Sequence, residues 1–236
     1  MFTAYETLFR MPQITNAEIG KATSKNDFDL NKMYQLKYDY GNSYYSFTYG
    51  PSLNIILNAF ADFEPGSKQY QWLLHKLSNV DREVTPWITV IVHCPMYTTF
   101  IQHHNDPQLV NLKLFLEPLF ISYKVNFVFS GHLHGYSRTK PVVFNQVKED
   151  GPIHIVLGNG GRQANAPFLK DDPEEWIAIR DHTTYGFGLV EFMNMTIARY
   201  EWVQTGHNSA EDRGKNFLDV PENMTDVVFV KNQYYV

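Results

Sequence analysis

The sequence predicts an α/β fold organised on a parallel strand–helix–strand crossover, and three stretches carry that reading. Trp87-Ile-Thr-Val-Ile-Val92 is an apolar strand that runs straight into His93. Asp106 as N-cap and Pro107 at the first helical position then open a helical stretch. A second apolar run, Val125-Asn-Phe-Val-Phe129, closes on Gly131-His132-Leu133-His134-Gly135. A crossover of this kind sets the carboxyl ends of its two strands side by side, so His93, His132 and His134 are expected to meet at one sheet edge. In extended backbone, side chains two residues apart point the same way, so His132 and His134 should both reach into one cavity. Loops at that end of a sheet are where α/β proteins usually hold a ligand or metal.

Taken in order, the first forty residues are polar and irregular, with Met11-Pro12 and Ser24-Lys-Asn-Asp27 as loop signals. Tyr44 to Tyr49 reads as a strand, Gly50-Pro51-Ser52 as a turn and Leu53 to Ala59 as the return strand of an antiparallel pair. Ser67 is the candidate cap of a helix that places Leu73, Leu77 and Val80 on one face, with Trp72 on the same apolar side and His75 on the surface. Beyond the crossover, Pro141 to Phe144 and Ile153 to Leu157 look like strands, and His154 should be a half-exposed sheet residue. Gly158-Asn-Gly-Gly161 lacks the Lys and Ser/Thr of a phosphate loop, which leaves it a tight turn beside the site. Pro167 to Asp181 reads as an acidic loop, and Gly186 to Phe192 with Thr196 to Val203 as a hairpin. The tail alternates only weakly.

Composition narrows the class. Hydrophobic residues at 44% against 19% charged belong to a globular chain. A net charge of -5 with no basic run gives no footprint for nucleic acid, and no apolar run approaches the roughly 20 residues that cross a bilayer. The one cysteine, Cys94, is best read as a small buried hydrophobe. Met1 to Arg10 has no charged start leading into an apolar stretch, so it does not read as a signal peptide. Asn194-Met-Thr196 and Asn223-Met-Thr225 would accept glycans only in a secreted chain.

Val90-Ile-Val-His93-Cys-Pro-Met-Tyr97 followed by Gly131-His-Leu-His-Gly-Tyr136 resembles the purple acid phosphatases, a branch of the calcineurin-like metallophosphoesterases. Framework stretches agree as well, among them Tyr44 to Pro51, Gly66 to Leu73, Asp81-Arg82 with Thr85-Pro-Trp87, and Gly158 to Gly161. The resemblance implies a four-layer α/β/β/α sandwich and hydrolysis of phosphate monoesters, small-molecule substrates, by a ferric ion paired with Fe2+, Zn2+ or Mn2+. By motif, His93 and His132 would bind the divalent metal and His134 the ferric ion. His103 and His104 correspond to a histidine pair that contacts the phosphate or protonates the leaving alkoxide, and which of the two faces the metals stays open. Family habit also implies a secreted or vacuolar glycoprotein and admits a homodimer.

The family's earlier motifs, which carry an aspartate, a Gly-Asp-x-x-Tyr and a Gly-Asn-His, have no counterpart here. No Gly-Asp occurs, and the Gly-Asn pairs at Gly41 and Gly158 lack the histidine. Three imidazoles do not satisfy two metals. The chain is therefore expected to be the carboxyl-terminal half of such an enzyme, without turnover as it stands. On this reading residues 1–150 belong to the catalytic domain and residues 151–236 form a carboxyl-terminal region packed on the same sandwich. Two alternatives are a metallophosphoesterase for phosphodiesters or nucleotides, and a non-catalytic scaffold that retains half of the metal site.

Overall fold

A computed structural model of the protein describes residues 42–161, 164–207 and 226–235, together with Leu8 and Met11. The loop expected at Ser24 to Asp27 and the second sequon at Asn223 lie outside the described residues. Strands β1 (Tyr45–Tyr49) and β2 (Ser52–Leu57) pair antiparallel across a turn where Gly50 adopts φ +53°, a conformation that favours glycine. Strand β3 (Trp87–Val92) runs parallel to β2, and β4 (Phe127–Ser130) parallel to β3, which is the expected crossover. After β5 (Tyr136–Thr139) and a small hairpin of β6 (Val142–Val143) with β7 (Gln146–Val147), strand β8 (Ile153–Leu157) inserts parallel beside β4. Strand β9 (Ile177–Asp181) pairs with β5 at the far edge, so the main sheet has the order β1-β2-β3-β4-β8-β5-β9.

Helices α1 (Lys68–Ser78) and α2 (Pro107–Ser122) cover one face of this sheet. Helix α1 forms because Ser67 accepts a hydrogen bond from the Tyr70 amide, and a stripe at four-residue spacing, Gln69, Leu73 and Leu77, turns inward. Period-two alternation sorts β3 cleanly: Ile88, Val90 and Val92 face the helices, while Trp87 faces the other way. The other face meets a second, antiparallel sheet of β10 (Thr184–Phe192), β11 (Ile197–His207) and β12 (Asp226–Lys231). Trp87, Phe127, Tyr136 and Ile155 of the first sheet interlock with Ala198, Tyr200, Trp202 and Val230 of the second. Tyr136 stacks on Trp202 at 3.9 Å between ring centres, and Arg138 grips Asp226 through a two-point contact at 2.6 and 2.7 Å.

The described residues thus form helices, mixed sheet and antiparallel sheet, which are three layers of the expected α/β/β/α sandwich. Where the fourth would lie, the outer face of β10–β12 presents Phe187, Leu189 and Phe229, the last 61% exposed. Three local expectations are corrected. Residues 167–181 are not all loop, because Ile177–Asp181 forms an edge strand whose short apolar alternation the acidic neighbours conceal. The strand expected over Pro141 to Phe144 shrinks to Val142–Val143, because Phe144 and Asn145 take φ of 47° and 65° and turn the chain back at once. His154 is not half-exposed but buried, at 3%, because β8 is an interior strand covered on both faces. Cys94 is buried as expected, and burial pushes its thiol up to about 11. No described helix is long and apolar enough to cross a membrane.

Candidate metal centre

His93 follows directly from β3, and its carbonyl accepts a hydrogen bond from the Gly131 amide at 3.0 Å. That bond continues the parallel pairing one step past the strand ends and brings the two histidine-bearing loops together. Gly131 leads into His132, whose backbone is left-handed at φ 66°. Leu133, fully buried among Phe100, Val156 and Ala166, pins the loop from below. Gly158 makes this possible, since a Cβ there would fall 1.7 Å from the Leu133 carbonyl oxygen. The glycine turn after β8 is therefore a seat for the histidine loop, in keeping with its expected place beside the site.

His132 sits between two other imidazoles. Its ring lies edge-on to His93 at 4.9 Å and tilted against His103 at 4.4 Å. His132 Nδ1 and His93 Nε2 share a hydrogen bond of 3.1 Å. His103, also left-handed at φ 59°, is held through Nδ1 by the Asp106 carboxylate at 2.8 Å. The same carboxylate oxygen lies 3.7 Å from His132 Nε2, a buried nitrogen that has no hydrogen-bond partner among the described residues. His104 turns aside, with its Nδ1 on the Ile101 carbonyl at 2.9 Å. Of the histidine pair it is His103 that faces the cluster.

The expected trio is met in part. His93 and His132 are together, but no hydrogen bond or ring contact among the described residues ties the His134 side chain to them. The premise for grouping His134 with His132 was extended backbone, and the left-handed turn at His132 removes it. Asp106 is the residue that sequence reasoning missed. It occupies the N-cap position of α2 but makes no cap hydrogen bond, because its carboxylate is drawn to His103 instead. The His103-x-x-Asp106 spacing at a helix start was the available signal.

Burial holds the rings of His93 and His132 below the ordinary imidazole range. His132 is lowered further by His103 and His93, against a partial opposing pull from Asp106. Near neutral pH both are uncharged, the form that binds metal. One ligand atom from each of His103, Asp106 and His132 can be chosen so that all lie within 4.8 Å of one another. Nitrogen with one carboxylate oxygen is a donor set for a divalent transition ion such as zinc. A ferric ion beside it would call for more hard oxygen donors, and the buried tyrosines lie elsewhere, Tyr97 on Glu117, Tyr136 on Asp226 and Tyr200 in the core between the two sheets. Among the described residues these donors suit a divalent ion. A cavity of about 770 Å³ reaches the cluster at His93 and is lined also by Phe60, Ile91, Phe129, Ser130 and Phe192.

Two family profiles match the chain. Calcineurin-like phosphoesterase matches residues 6–136, and iron/zinc purple acid phosphatase-like protein C matches residues 151–213. Probable purple acid phosphatase 20 of Arabidopsis thaliana is 36% identical over 202 residues, covering 85% of this chain and 42% of that protein. Purple acid phosphatase 18 of the same plant is 40% identical over 166 residues, covering 68% of this chain and 36% of that protein. The chain thus spans well under half the length of these relatives. Among solved structures, the purple acid phosphatase PPD1 from yellow lupin (Lupinus luteus) seeds aligns with a TM-score of 0.66 at 23% identity, over 85% of this chain and 33% of that one. That likeness bears on the fold.

Proposed function

This chain belongs to the purple acid phosphatases of the calcineurin-like phosphoesterase superfamily, and we propose that it carries the imidazole side of a metal-dependent phosphate-monoester hydrolase site. The observation that supports this most is His132, buried at Nε2, flanked by the rings of His93 and His103 and facing Asp106, all at the carboxyl ends of parallel strands. In the paired arrangement implied by the family, His93 and His132 would hold a divalent ion (Fe2+, Zn2+ or Mn2+) and His134 a ferric ion. Metal there would neutralise phosphate charge and supply hydroxide near neutral or acidic pH. The chain's own residues supply position and protons. His104 and His103 are exposed enough to meet a phosphate ester, and an imidazolium there can protonate the leaving alkoxide. The division into residues 1–150 and 151–236 fits the two family matches and goes with this reading. A secreted or vacuolar setting is supported by Asn194, which stands in an exposed turn between β10 and β11.

The test is hydrolysis of p-nitrophenyl phosphate by the chain loaded with Fe3+ and Zn2+, beside His132→Ala. Turnover that falls at least roughly 100-fold in the variant supports the proposal; equal turnover in both overturns it. The scaffold reading draws on the shortage of hard donors among the described residues, and a chain that binds metal yet shows no turnover would assign it.

A further inference from the structure

We infer that Arg180, on the edge strand β9, is the positioning residue of the histidine pair, its guanidinium locking residues 164–171 onto the loop that carries His103 and His104. The inference rests on the phosphatase reading, in which those imidazoles serve the phosphate ester, and extends it to a residue outside the histidine cluster.

Arg180 spends its donors on two segments at once. Its Nη1 donates to the Thr99 hydroxyl and to the Lys170 carbonyl, each at 2.9 Å, and its Nη2 donates to the Asp171 carbonyl. All three acceptors are neutral oxygens, so these bonds tie loops together and neutralise no charge. The guanidinium also lies 4.0 Å from the centre of the Phe168 ring, on which the His182 imidazole stacks at 4.3 Å. His182 in turn bonds the Ala166 carbonyl through Nδ1 at 3.0 Å. A planar fork that serves three acceptors while resting on an aromatic ring suits arginine, and lysine cannot reproduce it.

The segment held in this way reaches both histidine loops. Phe168 bridges Phe100 in antiparallel fashion: the Ile101 amide donates to the Pro167 carbonyl at 2.9 Å, and the Leu169 amide to the Thr99 carbonyl at 2.8 Å. Ile101 passes the constraint on, because its own carbonyl holds His104 Nδ1 at 2.9 Å. On the other side, the Ala166 amide donates to the His134 carbonyl at 3.2 Å, and a Cβ at Gly135 would fall 2.6 Å from Phe100 Cζ. Thr99 is fully buried, whereas Gln102 and His103 are exposed in a stretch that forms only turns. The placement of the pair is therefore set at the buried root of its loop, where the Arg180 bond to Thr99 is the charged contact. A charged donor's hydrogen bond is among the stronger local ties, and its loss raises the population of the displaced loop by roughly tenfold or more.

The experiment compares the Fe3+- and Zn2+-loaded chain with Arg180→Gln, Arg180→Lys and Thr99→Val on p-nitrophenyl phosphate and on glycerol phosphate. Circular dichroism checks folding, and diethyl pyrocarbonate labelling of each histidine, read by mass spectrometry, gives a record that needs no turnover. A leaving alkoxide needs a proton and p-nitrophenolate does not, so a misplaced acid shows as a kcat loss confined to glycerol phosphate. Expected are a kcat on glycerol phosphate at least roughly tenfold lower in Arg180→Gln and in Thr99→Val, no further loss in the double variant, and an intermediate value for Arg180→Lys. Labelling of His104, measured against exposed His75, should be at least roughly fivefold faster in the same two variants. Equal losses on both substrates, or His104 labelling like that of the parent, overturn the inference; if Arg180→Gln does not fold, Thr99→Val, which removes one hydroxyl, decides. Faster His104 labelling in a chain whose parent hydrolyses neither ester sustains the clamp and overturns the phosphatase reading, whereas parent turnover with unchanged labelling does the reverse.

Discussion

Acid should unfold this protein in part through one buried imidazole, His154. It lies on the helix-facing side of β8, its ring 4.6 Å from that of Tyr97, and neither ring nitrogen has a hydrogen-bond partner among the described residues. Burial, with the Lys113 ammonium adding to it, pushes the imidazole down to about 3. In the unfolded chain the same ring titrates near 6.5. A base kept neutral on folding contributes its full stability above the unfolded value, and that contribution is lost as pH falls from 6.5 toward the folded value. Between pH 7 and pH 5 the unfolded state gains a proton that the folded state refuses, a loss of roughly 2 kcal/mol from this residue. Urea unfolding of the parent and of His154→Leu at pH 7, 6 and 5 isolates it. His93 and His132, also lowered by burial, drop out because both proteins carry them. The variant should be close to the parent at pH 7, since it removes an unsatisfied polar ring, and more stable by about 2 kcal/mol at pH 5. Stability curves that stay parallel across this range would refute the reasoning.

Other perturbations test the tie points of the fold. Gly158→Ala drives a methyl into the Leu133 carbonyl and should cost about 3 kcal/mol in urea unfolding while weakening Zn2+ binding, because the His132 loop must move. Asp226→Asn leaves Arg138 and Tyr136 without the carboxylate that joins the two sheets, and a loss of about 3–5 kcal/mol in the same measurement is expected. Tyr97→Phe deprives the buried Glu117 carboxylate of a hydroxyl donor at 2.5 Å, leaving it the Phe144 amide, and should cost roughly 2 kcal/mol by thermal unfolding.

What the sequence made legible follows from where local pattern and tertiary demand agree. Helix α1 could be read because its cap, stripe and exposed His75 are all local features, and β3 and β4 because interior parallel strands are predominantly apolar, broken here only by Thr89 and Ser130. Strand β9 was hidden because an edge strand needs only one buried face, and Ile177-Ala-Ile179 supplies it in three residues. His154 was misjudged for a related reason. Alternation says which way a side chain points, but not whether that face is open, and here α2 and the Tyr97 loop close it. The bare face of β10–β12 is legible only in three dimensions, because Phe187, Leu189 and Phe229 look like ordinary core residues in the string.

At the site the limit of sequence reasoning is a matter of competition for a single group. Asp106 before Pro107 is a sound N-cap signal, and the helix does begin there, yet the carboxylate leaves the helix amides for His103. A local bond of about 1 kcal/mol yields to a contact that forms only when three loops converge. The same convergence holds two non-glycine residues, His103 and His132, in left-handed backbone at a cost on the order of 1–2 kcal/mol each. Such strain persists only where the surroundings over-determine it. The Gly131–His93 hydrogen bond, the buried Leu133 and the close seat at Gly158 do so for His132. The fold therefore spends stability to bring neutral nitrogens to face a carboxylate, and an arrangement held at such cost around an unpartnered buried nitrogen is physically explicable if a cation comes between them.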